Sequence, residues 1–182
     1  ILKKSREIDP TNTNVLLALG DAYKLNKKQN EAYECYREAF RLDSKLLRAK
    51  MGLGSLIKNA HNFSSAESSF NEVIALDPNY GPVYRELAET QYLWAMNDAK
   101  NYDAHIAKGL AFYEKYMSLT DYSIDSRMRH ADFLILATDY KALENEANEM
   151  IKLDNVNPRI YRYLGYSAYY NNNYDTAINS LT

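Results

Sequence analysis

The dipeptide Leu19-Gly20 returns as Leu53-Gly54, Leu87-Ala88, His130-Ala131 and Leu164-Gly165, at intervals of 34 residues broken once by an interval of 43. A second series keeps the same steps: Ile8-Asp9-Pro10, Leu42-Asp43-Ser44, Leu76-Asp77-Pro78, Leu119-Thr120-Asp121 and Leu153-Asp154-Asn155. A third, Ala32, Ala66, Gly109, Leu143 and Ala177, has the same intervals, with the long one falling a step earlier. Self-similarity at a fixed period of this length marks a repeat array, whose units bury their apolar faces against their neighbours.

Each unit reads as two short helices. In the first, Leu16, Leu19, Gly20 and Tyr23 share one face at helical spacing, and Ala32, Tyr36, Ala39 and Phe40 do so on a second segment. The polar stretch from Lys27 to Asn30 separates them. Gly20 and Ala32 allow close approach, and Tyr23 and Tyr36 fill the space beside them. Asp-Pro at 9-10 and 77-78 ends a second helix, because proline lacks the donor N–H and disfavours helical geometry in the residue before it.

These residues resemble the tetratricopeptide repeat family, whose pattern is a bulky residue, Leu-Gly, Tyr, then Ala, an aromatic, Ala and a closing Pro. The second unit carries Leu53, Gly54, Ile57, Ala66, Phe70, Val73 and Pro78, and the fifth Tyr161, Leu164, Gly165, Ala168, Tyr174 and Ala177. The fourth departs most, with His130, Leu143 and Asn155 where Leu, Ala and Pro are usual. The resemblance implies an all-α fold, a right-handed superhelical solenoid of antiparallel helix pairs. It would form a single array over 1–182: a partial repeat at 1–12, repeats at about 13–46, 47–80, 81–123 and 124–157, and a partial repeat at 158–182. Residues 1–9 read as the last turns of a second helix whose partner is missing, so a longer polypeptide is expected.

The nine-residue excess of the third unit lies between Tyr92 and Gly109. Helical residues continue on both sides of its polar stretch, Asn97 to Asp103, which predicts that both helices lengthen by about a turn, with Trp94 and Met96 packing across the extension. A tolerated hairpin-tip insertion is the plain alternative to a partner-specific protrusion.

In the family, a stripe on each first helix lines a concave groove. Carried over by position, it comprises Asn14, Leu17, Asp21 and Lys24; Arg48, Met51, Ser55 and Lys58; Pro82, Arg85, Glu89 and Tyr92; Asp125, Met128, Asp132 and Ile135; Arg159, Arg162, Tyr166 and Tyr169. The residues expected to touch a partner are Lys24, Arg48, Met51, Lys58, Arg85, Glu89, Tyr92, Asp132, Arg159, Arg162, Tyr166 and Tyr169. The alternation of basic, acidic and basic-aromatic stretches favours a specific polypeptide, against the alternative of an ordinary solvated face. Some family members grip a chaperone's C-terminal carboxylate with Lys, Asn and Arg. Leu17, Asp21, Ser55, Arg85 and Glu89 stand at those positions here, so such a tail is not expected.

Chemistry-bearing motifs are lacking. Cys35 reads as a packing residue beside Tyr36, and a single cysteine excludes an internal disulfide. His61, His105 and His130 have no ligand-spaced partners, and His130 takes a core-facing position where a bond to a carbonyl would satisfy it. Glu144 and Glu146 read as surface charge. Tyr23, Tyr36, Tyr84, Tyr113, Tyr140, Tyr161 and Tyr174 fall on core positions, whereas Tyr92, Tyr166 and Tyr169 do not. A net charge of −2 and the absence of an apolar run of membrane-spanning length argue against bulk nucleic-acid binding and membrane insertion.

The expectation is a scaffold without catalysis or cofactor that binds a peptide or helix of another protein in its groove. The alternatives are the substrate-recognition arm of a larger enzyme, or self-association through uncapped ends, since unburied terminal faces need covering. In Tyr and Asn content the chain resembles bacterial cell-envelope repeat proteins. Cytoplasmic and envelope locations both stay open.

Overall fold

The computed structural model describes residues 1–120 and 122–181. Asp121, in the fourth of the Leu-Asp anchors, and Thr182, the final residue of the expected array, lie outside them. Among the described residues there are eleven α-helices and no strand: α1 (Leu2–Ile8), α2 (Thr13–Leu25), α3 (Gln29–Leu42), α4 (Leu47–Asn59), α5 (Phe63–Leu76), α6 (Gly81–Asn97), α7 (Tyr102–Leu119), α8 (Ile124–Leu136), α9 (Tyr140–Leu153), α10 (Pro158–Tyr170) and α11 (Tyr174–Leu181). The chain divides into two compact units, Ile1–Trp94 and Ala95–Thr182.

In the first unit α1 packs on α2, α2 on α3, α3 on α4 and α4 on α5. Its core gathers Leu16, Leu17, Ala32, Tyr36, Ala39, Ala49 and Leu56. Gly20 lets two helices meet: a Cβ there would stand 2.6 Å from the Tyr36 ring. In the second unit α7 to α11 also pack in chain order, around Ala131, Leu134, Leu143, Ala147, Met150, Ile160, Tyr163 and Leu164.

The helix ends show why the period works. Asn12, Asn62, Ser123, Asp139 and Asn157 each accept a backbone N–H in the first turn of the helix they precede. Second helices stop at aspartate rather than at proline. Asp9, Asp43, Asp77 and Asp154 all adopt extended backbone, and each carboxylate accepts the N–H two residues on, from Thr11, Lys45, Asn79 and Val156. This local turn competes with continued helix whether or not proline follows.

Within the hairpins the sharp turn falls on one register position. Lys27, His61, Thr138 and Asn172 have φ of 58°, 60°, 56° and 62°. A β-branched side chain suits that left-handed region poorly, and Thr138 is exposed, so it gains no packing in return. Thr138→Gly is expected to raise stability by about 0.5–1 kcal/mol in thermal unfolding, the relieved strain exceeding the entropy cost of glycine. Asn172→Gly, at a residue that tolerates the conformation, should change little.

The two helices of the third repeat lengthen as its excess predicts. α6 has 17 residues where α2 and α4 have 13, α7 has 18 where α3 and α5 have 14, and a short 3-10 turn over Ala99–Asn101 lies between them. Trp94, expected to pack across the extension, stacks instead on Phe63 of α5 with ring centroids 6.2 Å apart. Met96 does not pack across the extension and is exposed. Among the described residues no helix is long and apolar enough to cross a membrane.

Candidate partner-binding surface

The expected stripe is not uniformly open. In the first unit Leu17 and Ser55 are buried, and Lys58 retains only 5% of its surface. Its Nζ sits 2.8 Å from Glu86 Oε2 and 2.7 Å from Glu89 Oε2, so two carboxylates of α6 neutralise a buried ammonium. Lys58 and Glu89 therefore serve each other. Arg48 donates to Asp21 at 2.7 Å. Lys24, Met51 and Tyr92 are partly buried and Arg85 is exposed.

Asp21 also accepts the Tyr36 hydroxyl at 2.6 Å. The second unit rebuilds this arrangement at the same register. Asp132 accepts Arg159 at 3.0 and 3.1 Å and the Tyr163 hydroxyl at 2.6 Å. In both units the arginine lies 27 residues after the aspartate. The tyrosine, however, changes helix. Tyr36 belongs to α3 and fills the space over Gly52, where a Cβ would meet its ring at 2.7 Å. At the corresponding positions α9 carries Ala147 and α10 carries Tyr163, so the bulky and small residues have exchanged places while the hydroxyl stays on the aspartate. Burial, reinforced by the bond to the carboxylate, holds both phenols protonated far above their ordinary range.

Around Asp132 the second unit opens a cavity of about 650 Å³ lined by Asp132, Ile135, Arg159, Arg162, Tyr163 and Tyr166. Four of the expected contact residues, Asp132, Arg159, Arg162 and Tyr166, converge there. Tyr163 was not among them, because its column holds the small residues Ala18 and Gly52 in the first two repeats. The recurrent aspartate–arginine spacing was the available signal. Asp132 is saturated by Arg159 and Tyr163, whose ring also lies 5.5 Å from the Arg159 guanidinium. Arg162 is exposed and has no ion-pair partner among the described residues. The lining thus carries one uncompensated positive charge beside the half-exposed ring of Tyr166. Tyr169 lies outside the cavity, on an exposed aromatic edge.

Three further positions differ from expectation. His130 faces carboxylates rather than a carbonyl, with Nδ1 3.2 Å from Glu146 and Nε2 3.6 Å from Glu114. Glu146 is not surface charge: its side chain is 12% exposed and accepts from Arg127 at 2.8 Å. Burial alone would raise its carboxyl, but His130 and Arg127 more than offset this and hold it below the usual carboxylate range. Tyr174 is exposed instead of core, since its ring packs against Tyr169 at the edge of the unit. Among the described residues no group of three or more His, Cys, Asp or Glu side chains is placed to hold a metal ion.

Residues 13–46 match the family model described as tetratricopeptide repeat. No curated protein matches the chain. Among solved structures it is similar to YrrB, a TPR protein described as having an unusual peptide-binding site, at 13% identity over 99% of this chain and 88% of that one, with a TM-score of 0.72. It is also similar to PilF of Pseudomonas aeruginosa, at 20% identity over 98% and 78%, TM-score 0.72. A tetratricopeptide repeat protein from Parabacteroides merdae is 17% identical over 98% and 68%, TM-score 0.63. At these identities the likeness is one of fold.

Proposed function

Residues 13–46 match the tetratricopeptide repeat and the chain has the fold of such proteins, and from that premise we propose that it is a non-catalytic scaffold, a single array whose second unit binds an acidic peptide segment of a partner in the cavity between α8 and α10. The fold supports a protein-interaction scaffold in general. The choice of cavity rests on one observation, the free guanidinium of Arg162 beside the exposed ring of Tyr166.

A carboxylate side chain entering there meets Arg162, while Asp132 cannot repel it strongly because Arg159 offsets its charge and the Tyr163 hydroxyl donates to it. Tyr166 offers an apolar face to the residue next to the acid, at low entropic cost because its ring is packed against Tyr140 and Tyr170. In the first unit the stripe cations Arg48 and Lys58 are spent on Asp21 and on Glu86 and Glu89, and Arg85, at the register of Arg162, is engaged as well. That contrast is why the second unit is preferred.

The test is a peptide array in which each acidic sequence is paired with its amide counterpart, followed by fluorescence anisotropy on the intact chain and on Arg162→Glu. Retained acidic peptides should bind the variant at least about tenfold more weakly, since hydrogen bonds to charged groups contribute ~1.5–3 kcal/mol. Circular dichroism checks that the variant keeps its helices. Equal binding by the variant, or equal retention of the amide peptides, would sink the proposal.

A further inference from the structure

On the second unit, the turn between α8 and α9 and the turn between α10 and α11 bring five tyrosines together: Tyr140, Tyr166, Tyr169, Tyr170 and Tyr174. Tyr140 stacks on Tyr170 with centroids 4.2 Å apart and planes 9° from parallel. Tyr166 and Tyr169 meet Tyr170 edge to face at 4.8 and 5.3 Å, and Tyr174 meets Tyr169 at 5.9 Å. Tyr169 and Tyr174 are 56% and 53% exposed, and Tyr170 46%. So much aromatic surface at one place, held rigid by its own ring contacts, is what recognition surfaces display.

The charge around the patch indicates the occupant. Asp139 precedes Tyr140, Asp175 follows Tyr174, and Glu144 is tied to Asn171 at 2.6 Å, three carboxylates against Lys141 and, beside Tyr166, Arg162. Elsewhere the chain supplies its own cations to its aromatic faces: Arg37 to Tyr33, Lys50 to Phe40, Arg127 to Tyr122, Arg129 to Phe133 and Arg159 to Tyr163. Among the described residues none lies over these five rings. Negative π-faces inside a net acidic rim attract lysine and arginine side chains.

We propose that this tyrosine edge docks a basic segment of a partner protein, whose lysine or arginine side chains lie across the open faces of Tyr169 and Tyr174 with the rim carboxylates beside them. The surface is separate from the cavity except that Tyr166 borders both. It takes the opposite charge. A partner that used both would present acidic residues to α8 and α10 and basic residues to the hairpin turns.

The experiment titrates the intact chain with acetylated, amidated arginine-glycine and glutamine-glycine peptides of equal length, observing tyrosine ring protons by NMR. The arginine peptide should shift the Tyr169 and Tyr174 rings, and 0.5 M salt should weaken it. Tyr169→Ala with Tyr174→Ala should abolish binding. Asp139→Asn with Asp175→Asn, which keeps the capping geometry, should weaken it about fivefold, and Arg162→Glu should not weaken it. Equal binding of the glutamine peptide, binding that survives the double alanine change, or ring shifts produced instead by a neutral oligosaccharide would overturn the proposal. So would a concentration-dependent mass showing that a second copy covers the edge. Failure here leaves the Arg162 reading standing, since that test uses acidic peptides and a different side chain.

Discussion

Changing Glu86 and Glu89 together to glutamine is expected to destabilise the first unit by about 3–5 kcal/mol, the cost of leaving a buried charge without its partners. Lys58 is 5% exposed and its Nζ has these two carboxylates within 2.8 Å. Glutamine preserves size and an oxygen acceptor, so what is lost is the neutralising charge. The two acids should not contribute equally. The Glu86 side chain is 18% exposed and that of Glu89 46%, so Glu89→Gln alone falls within the range of roughly 0–1 kcal/mol usual for exposed pairs. Adding Lys58→Met to the double glutamine variant removes the stranded charge and should bring stability back to within about 1 kcal/mol of the parent. Urea unfolding followed by the fluorescence of Trp94, the only tryptophan and a member of the same unit, provides the measurement. A double variant that loses under 1 kcal/mol would mean that Lys58 reaches water and that the cluster is ornamental.

The second large effect concerns the tyrosine that changes helix. Tyr36→Ala is expected to cost about 3–5 kcal/mol, because the ring is 1% exposed and fills the space over both Gly20 and Gly52. Gly52→Tyr alone should also be severely destabilising, since even a Cβ at that position would lie 2.7 Å from the Tyr36 ring. Combined, the two changes reproduce Ala147 and Tyr163 of the second unit, and the double variant should be more stable than either single one. Gly20→Ala should improve it further, as Ala131 occupies that register beside Tyr163. A double-mutant cycle measures this as a coupling of roughly 2–3 kcal/mol in the favourable direction. Simple additivity would show that the two units place their phenols for unrelated reasons.

Much of the fold is legible because the period is physical. Leu-Gly at one face and Ala-aromatic-Ala at the next specify two helices per repeat, and the structure has helices wherever the anchors recur. Even the growth of α6 and α7 by a turn follows from helical residues continuing on both sides of Asn97 to Asp103. Other features depend on partners that lie a repeat away. Lys58 reads as a groove cation until Glu86 and Glu89 are brought beside it from 28 and 31 residues further on. Glu146 reads as solvated until Arg127 and His130 are placed against it. The Asp-Pro pairs suggested that proline closes each unit, whereas the aspartate alone makes the turn at Asp43 and Asp154. At the candidate site Asp132, Arg159, Arg162 and Tyr166 could be read from register. Tyr163 could not, because its column holds the small residues Ala18 and Gly52 in the first two repeats. Comparing pairs of columns, 36 with 52 and 147 with 163, would have exposed the exchange.

Cys35 gives the molecule a clock. It is the only cysteine, it is 1% exposed within α3, and burial raises its thiol above the ordinary value. A thiol reagent can reach it only when the first unit opens, and only the thiolate reacts. The modification rate therefore counts openings directly. At low reagent it reports how often the open form is populated; at saturating reagent it reports how fast that form is reached. The lone sulfur thus allows the breathing of one unit to be timed under native conditions, without denaturant and without an introduced label site.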